Sequence, residues 1–313
     1  MSLAPHLTPG AETRAVQIAL IRQGYDCGRV DGRPGPKTHM ALERWANVHQ
    51  VSLSDAPSAV RIVNDSVRAG MLVAEGRYLR APDGVTVRNW LAEGVERLRD
   101  TGPRTRCSQI VIHESVTRGG WRRVWDVLTR RHLGVHLIVA RDGSVTQHVD
   151  LQHSTVHAGA LNRRSIGIEV ESAYYSDGSG EPGVDWIPAI WAHRGRYLLP
   201  IREQCESTWL LVERLCAATP EGTTSHRDHV WPPLRFPGLV GNVFLWGRVE
   251  GGAKMAGVQA HARTAHSDGL FPECYCALRL RGLSAIESWR LTVELAGSGQ
   301  RTTALPAIGS GVG

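Results

Sequence analysis

Apolar positions along this chain change their period several times, and each change predicts an element. Val16, Ala19, Leu20 and Ile21 recur at helical spacing and predict a first helix. Gly24-Tyr25 stops it, because glycine supplies the left-handed cap conformation. Asp31-Gly32-Arg33-Pro34-Gly35-Pro36 is dense turn chemistry. Thr38 then caps a second helix, whose apolar side includes Met40, Ala41, Trp45 and Val48. Residues 52–105 hold no sustained period and read as connection and lead-in.

Beyond them the pattern alternates between strand and helix. The apolar run QIVIH at 109–113 predicts a buried strand ending at His113. Trp121, Val124, Trp125 and Leu128 share one helical face within 121–132, and residues 134–150 carry the Arg-Asp-Gly turn of a β-hairpin. In 165–171, Ile166, Ile168 and Val170 alternate with Gly167, Glu169 and Glu171, so both carboxylates share one strand face, Glu171 as a solvated neighbour of Glu169. Cys205, Trp209, Leu210, Val212 and Leu215 mark the buried side of a helix at 203–218. Residues 272–297 read as helical. Such alternation predicts an α/β fold: a mixed central sheet flanked by helices, preceded by a small all-helical domain. The expected division is a helical module at 1–55, connection at 56–105, the α/β domain at 106–297 and a flexible tail at 298–313.

Charge and composition narrow the chemistry only slightly. The net charge is +6 with a pI near 9.2, and Lys37 and Lys254 are the only lysines. The arginines are scattered rather than interleaved with aromatics, so no nucleic-acid groove is expected. No run approaches the roughly 18 apolar residues of a membrane span. The opening MSLAPHLTPGAE has neither a basic start nor an apolar core, which predicts synthesis in the cytoplasm without a signal peptide. Six dispersed cysteines read as buried, inert thiols rather than a disulfide framework.

Three segments carry candidate chemistry at the ends of apolar runs: IVIHES at 110–115, SIGIEVE at 165–171 and GVQAHARTAHSDGLF at 257–271. Strand ends are rigid places to build a metal or proton-transfer site. The N-terminal segment GYDCGRVDGRPGPKT resembles the peptidoglycan-binding module of bacterial and phage wall hydrolases, which share a GYxxGxxDGxxGxxT pattern between two apolar helices. Ala46 departs from the Gln usual there. The resemblance implies that Asp31, Gly32 and Gly35 belong to a wall-binding loop.

The order IVIHES, VHLIVARDG, HAG, SIGIE resembles the zinc-dependent N-acetylmuramoyl-L-alanine amidases, the family of phage endolysins and animal peptidoglycan recognition proteins. By that resemblance His113 is the first zinc ligand, Glu169 the catalytic carboxylate and His157 a substrate-lining residue. Val135 stands where some members carry a catalytic Tyr. Two segments compete for the remaining ligands. SHRDHVWPPLRFPG at 225–238 offers His226, but its third-ligand position falls near Phe236, which binds no metal. GVQAHARTAHSDGLF offers His261 and Asp268, with Asp268-Gly269-Leu270-Phe271 resembling the family's DPGxxF and His266 standing where members stabilise an oxyanion. A catalytic zinc takes three protein ligands and one open position, so His113, His261 and Asp268 are favoured and His226 is the alternative. An insertion at 220–256 separates the helix from this segment.

The implied protein is a monomeric, bacteriolytic hydrolase of the endolysin type that uses Zn2+ to cleave the bond between N-acetylmuramic acid and L-alanine in bacterial peptidoglycan. Made in the cytoplasm, it acts on the cell wall after release. A peptidoglycan-recognition protein without hydrolysis is the alternative, and an intracellular amidase recycling wall fragments fits poorly beside a polymer-binding module.

Overall fold

A computed structural model describes residues 7, 9–22, 25–49, 71–74, 77–90, 95–104, 106–173, 186–217, 232–264, 266 and 268–306. Helices α1 (Ala11–Arg22) and α2 (Pro36–His49) bury Val16, Ala19, Leu20, Ala41, Leu42 and Trp45 against each other. Met40, expected on the apolar side, is 53% exposed and Leu42 takes the buried place. Thr38 is not the cap either. It lies inside the first turn of α2, where its hydroxyl accepts a hydrogen bond from Gln17 Nε2 at 3.2 Å.

Gln17 organises the intervening loop. Its amide nitrogen reaches Asp31 Oδ1 and the Arg33 carbonyl at 3.2 and 3.0 Å, and its Oε1 accepts from Gly32 N at 2.9 Å. Gly32 has φ +74° and stands so close to Gly10 that a Cβ would come within 2.9 Å of the Gly10 carbonyl. The loop glycine is therefore a packing requirement.

The central sheet has six strands. They are β3 (Val87–Asn89), β5 (Gln109–Glu114), β6 (Leu137–Val139), β7 (Val145–Gln147), β9 (Ser165–Val170) and β14 (Gly257–Ala260), ordered β14-β5-β9-β6-β7-β3. All neighbours are parallel except the β6–β7 hairpin. Strand β3 lies within the segment expected to be connection, which also holds the β1–β2 hairpin (Met71–Ala74, Arg77–Arg80) and β4 (Asp100–Pro103), paired with β8 (His153–Thr155). Ile18 and Val30 of the helical module pack on Val73 of that hairpin.

The two faces of the sheet are covered differently. Ile110, Ile112, Ile166, Ile168 and Val170 face helices α4 (Arg202–Ala217), α5 (Leu270–Leu280) and α6 (Ala285–Ala296), forming the main core. On the other face, Val124 and Leu128 of α3 (Trp121–Arg130) cover Ile138. Val135 is buried in this second cluster. The described part of the 220–256 insertion supplies β12 (Leu239–Val240) and β13 (Val243–Leu245), joined by β15 (Thr302–Ala304) from the expected tail. The short hairpin β10 (Trp186–Pro188) and β11 (Arg196–Leu198) completes the strands.

Candidate active site

Parallel pairing sets the site. His113 of β5 is in register with Glu169 of β9, and Ile138 of β6 is in register with Glu169 from the other side, so these side chains share the α3 face. Ile112 pairs with Ala260 of β14, and His261 opens a 3-10 turn one residue later. The ends of two adjacent parallel strands thus deliver His113 and His261 to the same level. Asp268 arrives just before the N-terminus of α5, where its carbonyl accepts from Ala262 N at 3.0 Å. The following Gly269 has φ +81°, and a Cβ there would lie 2.1 Å from the Ile112 carbonyl. Only glycine allows the Asp268 turn to lie against the His113 strand.

His113, His261 and Asp268 offer ligand atoms that all lie within 4.8 Å of one another. His113 Nδ1 stands 3.6 Å from Asp268 Oδ2, and His261 Nδ1 stands 3.2 Å from Asp268 Oδ1. Two ligands of a tetrahedral zinc ion bound at about 2.0–2.1 Å stand about 3.3 Å apart, and the observed spacings bracket that value. Asp268 Oδ1 is buried without a hydrogen-bond partner. Two imidazoles and one carboxylate, whose Oδ1 is the orphaned acceptor, form a three-residue donor set that fits zinc.

The protonation states agree. Burial pushes His113 below its ordinary value despite the nearby Asp268. Burial opposes ionisation of Asp268, but the imidazoles of His113 and His261 outweigh it and hold the carboxyl below the ordinary carboxylate range. Neutral imidazole and ionised carboxylate are the forms a metal requires. Glu169 behaves oppositely: burial, with Asp268 and Glu114 adding their negative charge, raises its carboxyl well above 4.5. A carboxyl whose proton is held more tightly than usual is suited to general acid–base work.

The other sequence candidates fall into different places. His157 lies behind His113, with its Nδ1 2.9 Å from His113 Nε2. His266 is exposed, its ring centroid 5.3 Å from that of His261. His226 lies outside the described residues, while Phe236 is buried in the main core. Glu171 is not solvated: it is 4% exposed, and its oxygens accept from Gly119 N, Gly120 N and Arg141 N, pinning the loop after β5 to the hairpin. Asp31 and Gly32 hold their loop through Gln17, as described above, while Gly35 N donates to the Arg33 carbonyl at 2.9 Å. The described cysteines are free and, except for half-buried Cys216, buried.

Sequence reasoning missed two anchors. Glu114 accepts from Gly269 N at 2.8 Å and from the Tyr197 hydroxyl. Arg263 and Glu273 form a fully buried ion pair at 2.9 Å, and Glu273 also accepts from Ala260 N. One ties β5 to the Asp268 turn, the other ties the His261 turn to α5. Glu114 was visible only as a polar residue at a strand end, and no local pattern marked the other pair.

Residues 103–234 match the family model described as N-acetylmuramoyl-L-alanine amidase. The match includes His113, Glu169 and His226 and ends before the segment carrying His261 and Asp268. No curated protein matches the chain. Among solved structures, the endolysin N-acetylmuramoyl-L-alanine amidase LysCS from Clostridium intestinale is 14% identical, covering 55% of this chain and 83% of its own, with a TM-score of 0.31. The Staphylococcus aureus hydrolase AmiA is 14% identical over 69% of this chain and 84% of its own, with a TM-score of 0.33. Drosophila peptidoglycan recognition protein SA is 14% identical over 39% and 66%, with a TM-score of 0.26. The likeness to the N-acetylmuramoyl-L-alanine amidase family thus covers residues 103–234, the stretch that holds His113 and Glu169.

Proposed function

We propose that the protein hydrolyses the amide between N-acetylmuramic acid and L-alanine in peptidoglycan, with a zinc ion held by His113, His261 and Asp268. The observation that carries this reading is the convergence of those three groups beside Glu169 at the ends of adjacent parallel strands. When bound, zinc supplies Lewis acidity that activates water near neutral pH. Glu169 takes a proton at its carboxylate from the attacking water and returns it to the leaving nitrogen. Its buried setting raises the affinity of the carboxyl for that proton. His266, at the exposed rim, donates a hydrogen bond to the carbonyl oxygen as negative charge develops there.

The helical module holds the enzyme on the polymer through the loop bearing Asp31, Gly32 and Gly35, raising the local concentration of the catalytic domain. A wall-binding module joined to an amidase domain suits a lytic enzyme of the endolysin type. No helix among the described residues is long and apolar enough to cross a membrane.

The test is mass spectrometry of purified sacculi after digestion, with chelator and then with zinc restored. Zinc-dependent release of stem peptides beginning with L-alanine is the expected result. Sacculi that retain bound protein and show no new termini would overturn hydrolysis and leave a recognition protein. His261→Ala and His226→Ala then identify the second ligand: loss of zinc binding in the first, with retention in the second, is expected.

A further inference from the structure

His157 and Ser165 make a hydrogen-bonded chain behind His113. His113 Nε2 lies 2.9 Å from His157 Nδ1, His157 Nε2 lies 3.1 Å from Ser165 Oγ, and Ser165 Oγ lies 2.8 Å from the Leu161 carbonyl. The chain ends on a group that only accepts, and the Leu161 contact is the shorter of the two made by the hydroxyl. The Ser165 proton therefore points to Leu161, and Oγ accepts from His157 Nε2–H. A neutral His157 then presents a lone pair at Nδ1, which accepts from His113 Nε2–H. That leaves the His113 Nδ1 lone pair facing Asp268 and His261.

Backbone geometry reserves space for this arrangement. A Cβ at Gly167 would come within 2.7 Å of His157 Nδ1, so the glycine of β9 makes room for the ring. Two further hydrogen bonds fix the approach of His157: Asn162 Oδ1 accepts from His157 N at 3.0 Å and from Ala158 N at 2.7 Å. The neighbouring His136 takes no part. Its Nδ1 accepts from Gly167 N and its Nε2 donates to the His153 carbonyl, both at 2.9 Å.

We propose that Ser165 and His157 are positioning residues that hold His113 in the Nε2–H form, with Nδ1 open to the metal. The inference rests on the zinc reading above and replaces the substrate-lining role expected for His157. An imidazole ligand whose other nitrogen is hydrogen-bonded is fixed in tautomer and orientation, and losing such a partner typically costs about 10–100-fold in metal affinity.

The experiment has a metal-free arm and a metal arm. Long-range 1H–15N correlation spectra of the metal-free protein are expected to show Nε2–H forms for both His113 and His157. His113 protonated at Nδ1 would overturn the proposal. Zinc affinity is then measured by competition with a chromophoric chelator. His157→Leu is expected to weaken binding about 10–100-fold, while His157→Gln, which can accept from His113 and donate to Ser165, restores most of it. Equal affinities for the two variants would overturn the proposal. Should His157→Leu fail to fold, Ser165→Ala deletes only a hydroxyl and is expected to mix the tautomers and weaken zinc binding. Unchanged spectra and affinity in that variant would overturn the relay. Wild-type protein that binds no zinc sinks the zinc reading instead, and the metal-free spectra still report the tautomers.

Discussion

Glu114 and Gly269 are hydrogen-bonded at 2.8 Å across 155 residues of sequence, so the neighbour of His113 holds the neighbour of Asp268. Glu114→Ala leaves the Gly269 amide without its buried acceptor, a loss worth about 1–3 kcal/mol. The variant is expected to unfold at lower denaturant and to bind zinc more weakly, as seen by denaturation with and without the metal. Unchanged zinc affinity would show that the Asp268 turn holds itself.

On the proposed reading, Glu169→Gln removes proton transfer while leaving His113, His261 and Asp268 untouched. Hydrolysis is expected to fall about 10²–10⁴-fold, with zinc binding and sacculus binding retained. In the wild type, burial together with Asp268 and Glu114 raises this carboxyl. The base works only when ionised, so kcat/KM is expected to decline as falling pH protonates it. A flat profile across the mildly acidic range would exclude Glu169 as the base.

The Arg263–Glu273 pair is fully enclosed. Arg263→Met strands a buried carboxylate and is expected to cost about 3–5 kcal/mol, whereas the double change to Met at both positions costs less than the sum of the single changes. Urea unfolding of the three variants measures the coupling. Additive costs would show that the pair does not act as a unit.

Acid sensitivity has a specific source in His148. It is buried, with Nδ1 2.6 Å from the Glu96 carbonyl and Nε2 2.8 Å from Thr146 Oγ1. Burial, only partly offset by the Glu96 carbonyl and charge, lowers its pKa from 6.5 to about 4. Because the unfolded chain protonates first, the stability this residue confers is present above pH 6.5 and is lost as pH falls toward 4. The full swing is roughly 3 kcal/mol. His148→Gln is expected to flatten the stability profile in that window, measured by denaturation at several pH values. An identical slope would assign the acid sensitivity elsewhere.

Apolar period placed His113 and Glu169 on strands, while the resemblance of IVIHES and SIGIE to amidase motifs singled them out as site residues. Strand pairing brings the two into register. His261 and Asp268 were favoured because zinc needs three donors, and the structure brings them beside His113. Met40 shows the limit of helical phase: the pattern gives a helix, but the packed face includes Leu42 instead. Glu171 shows the limit of alternation, which assigns a face without saying what covers it. Glu114, Ser165, Arg263 and Glu273 escaped notice because their roles come from partners that only folding brings close.

The separation between the strands that build the site has a consequence for synthesis. Strand β14 joins β5 only after the chain has passed residue 257, and closing so long a loop is slow relative to local helix formation. A nascent chain released before that point presents His113 but neither His261 nor Asp268. On the proposed reading, truncated products carry the wall-binding module without a lytic centre, so an interrupted ribosome makes no partial toxin for the cell that hosts it.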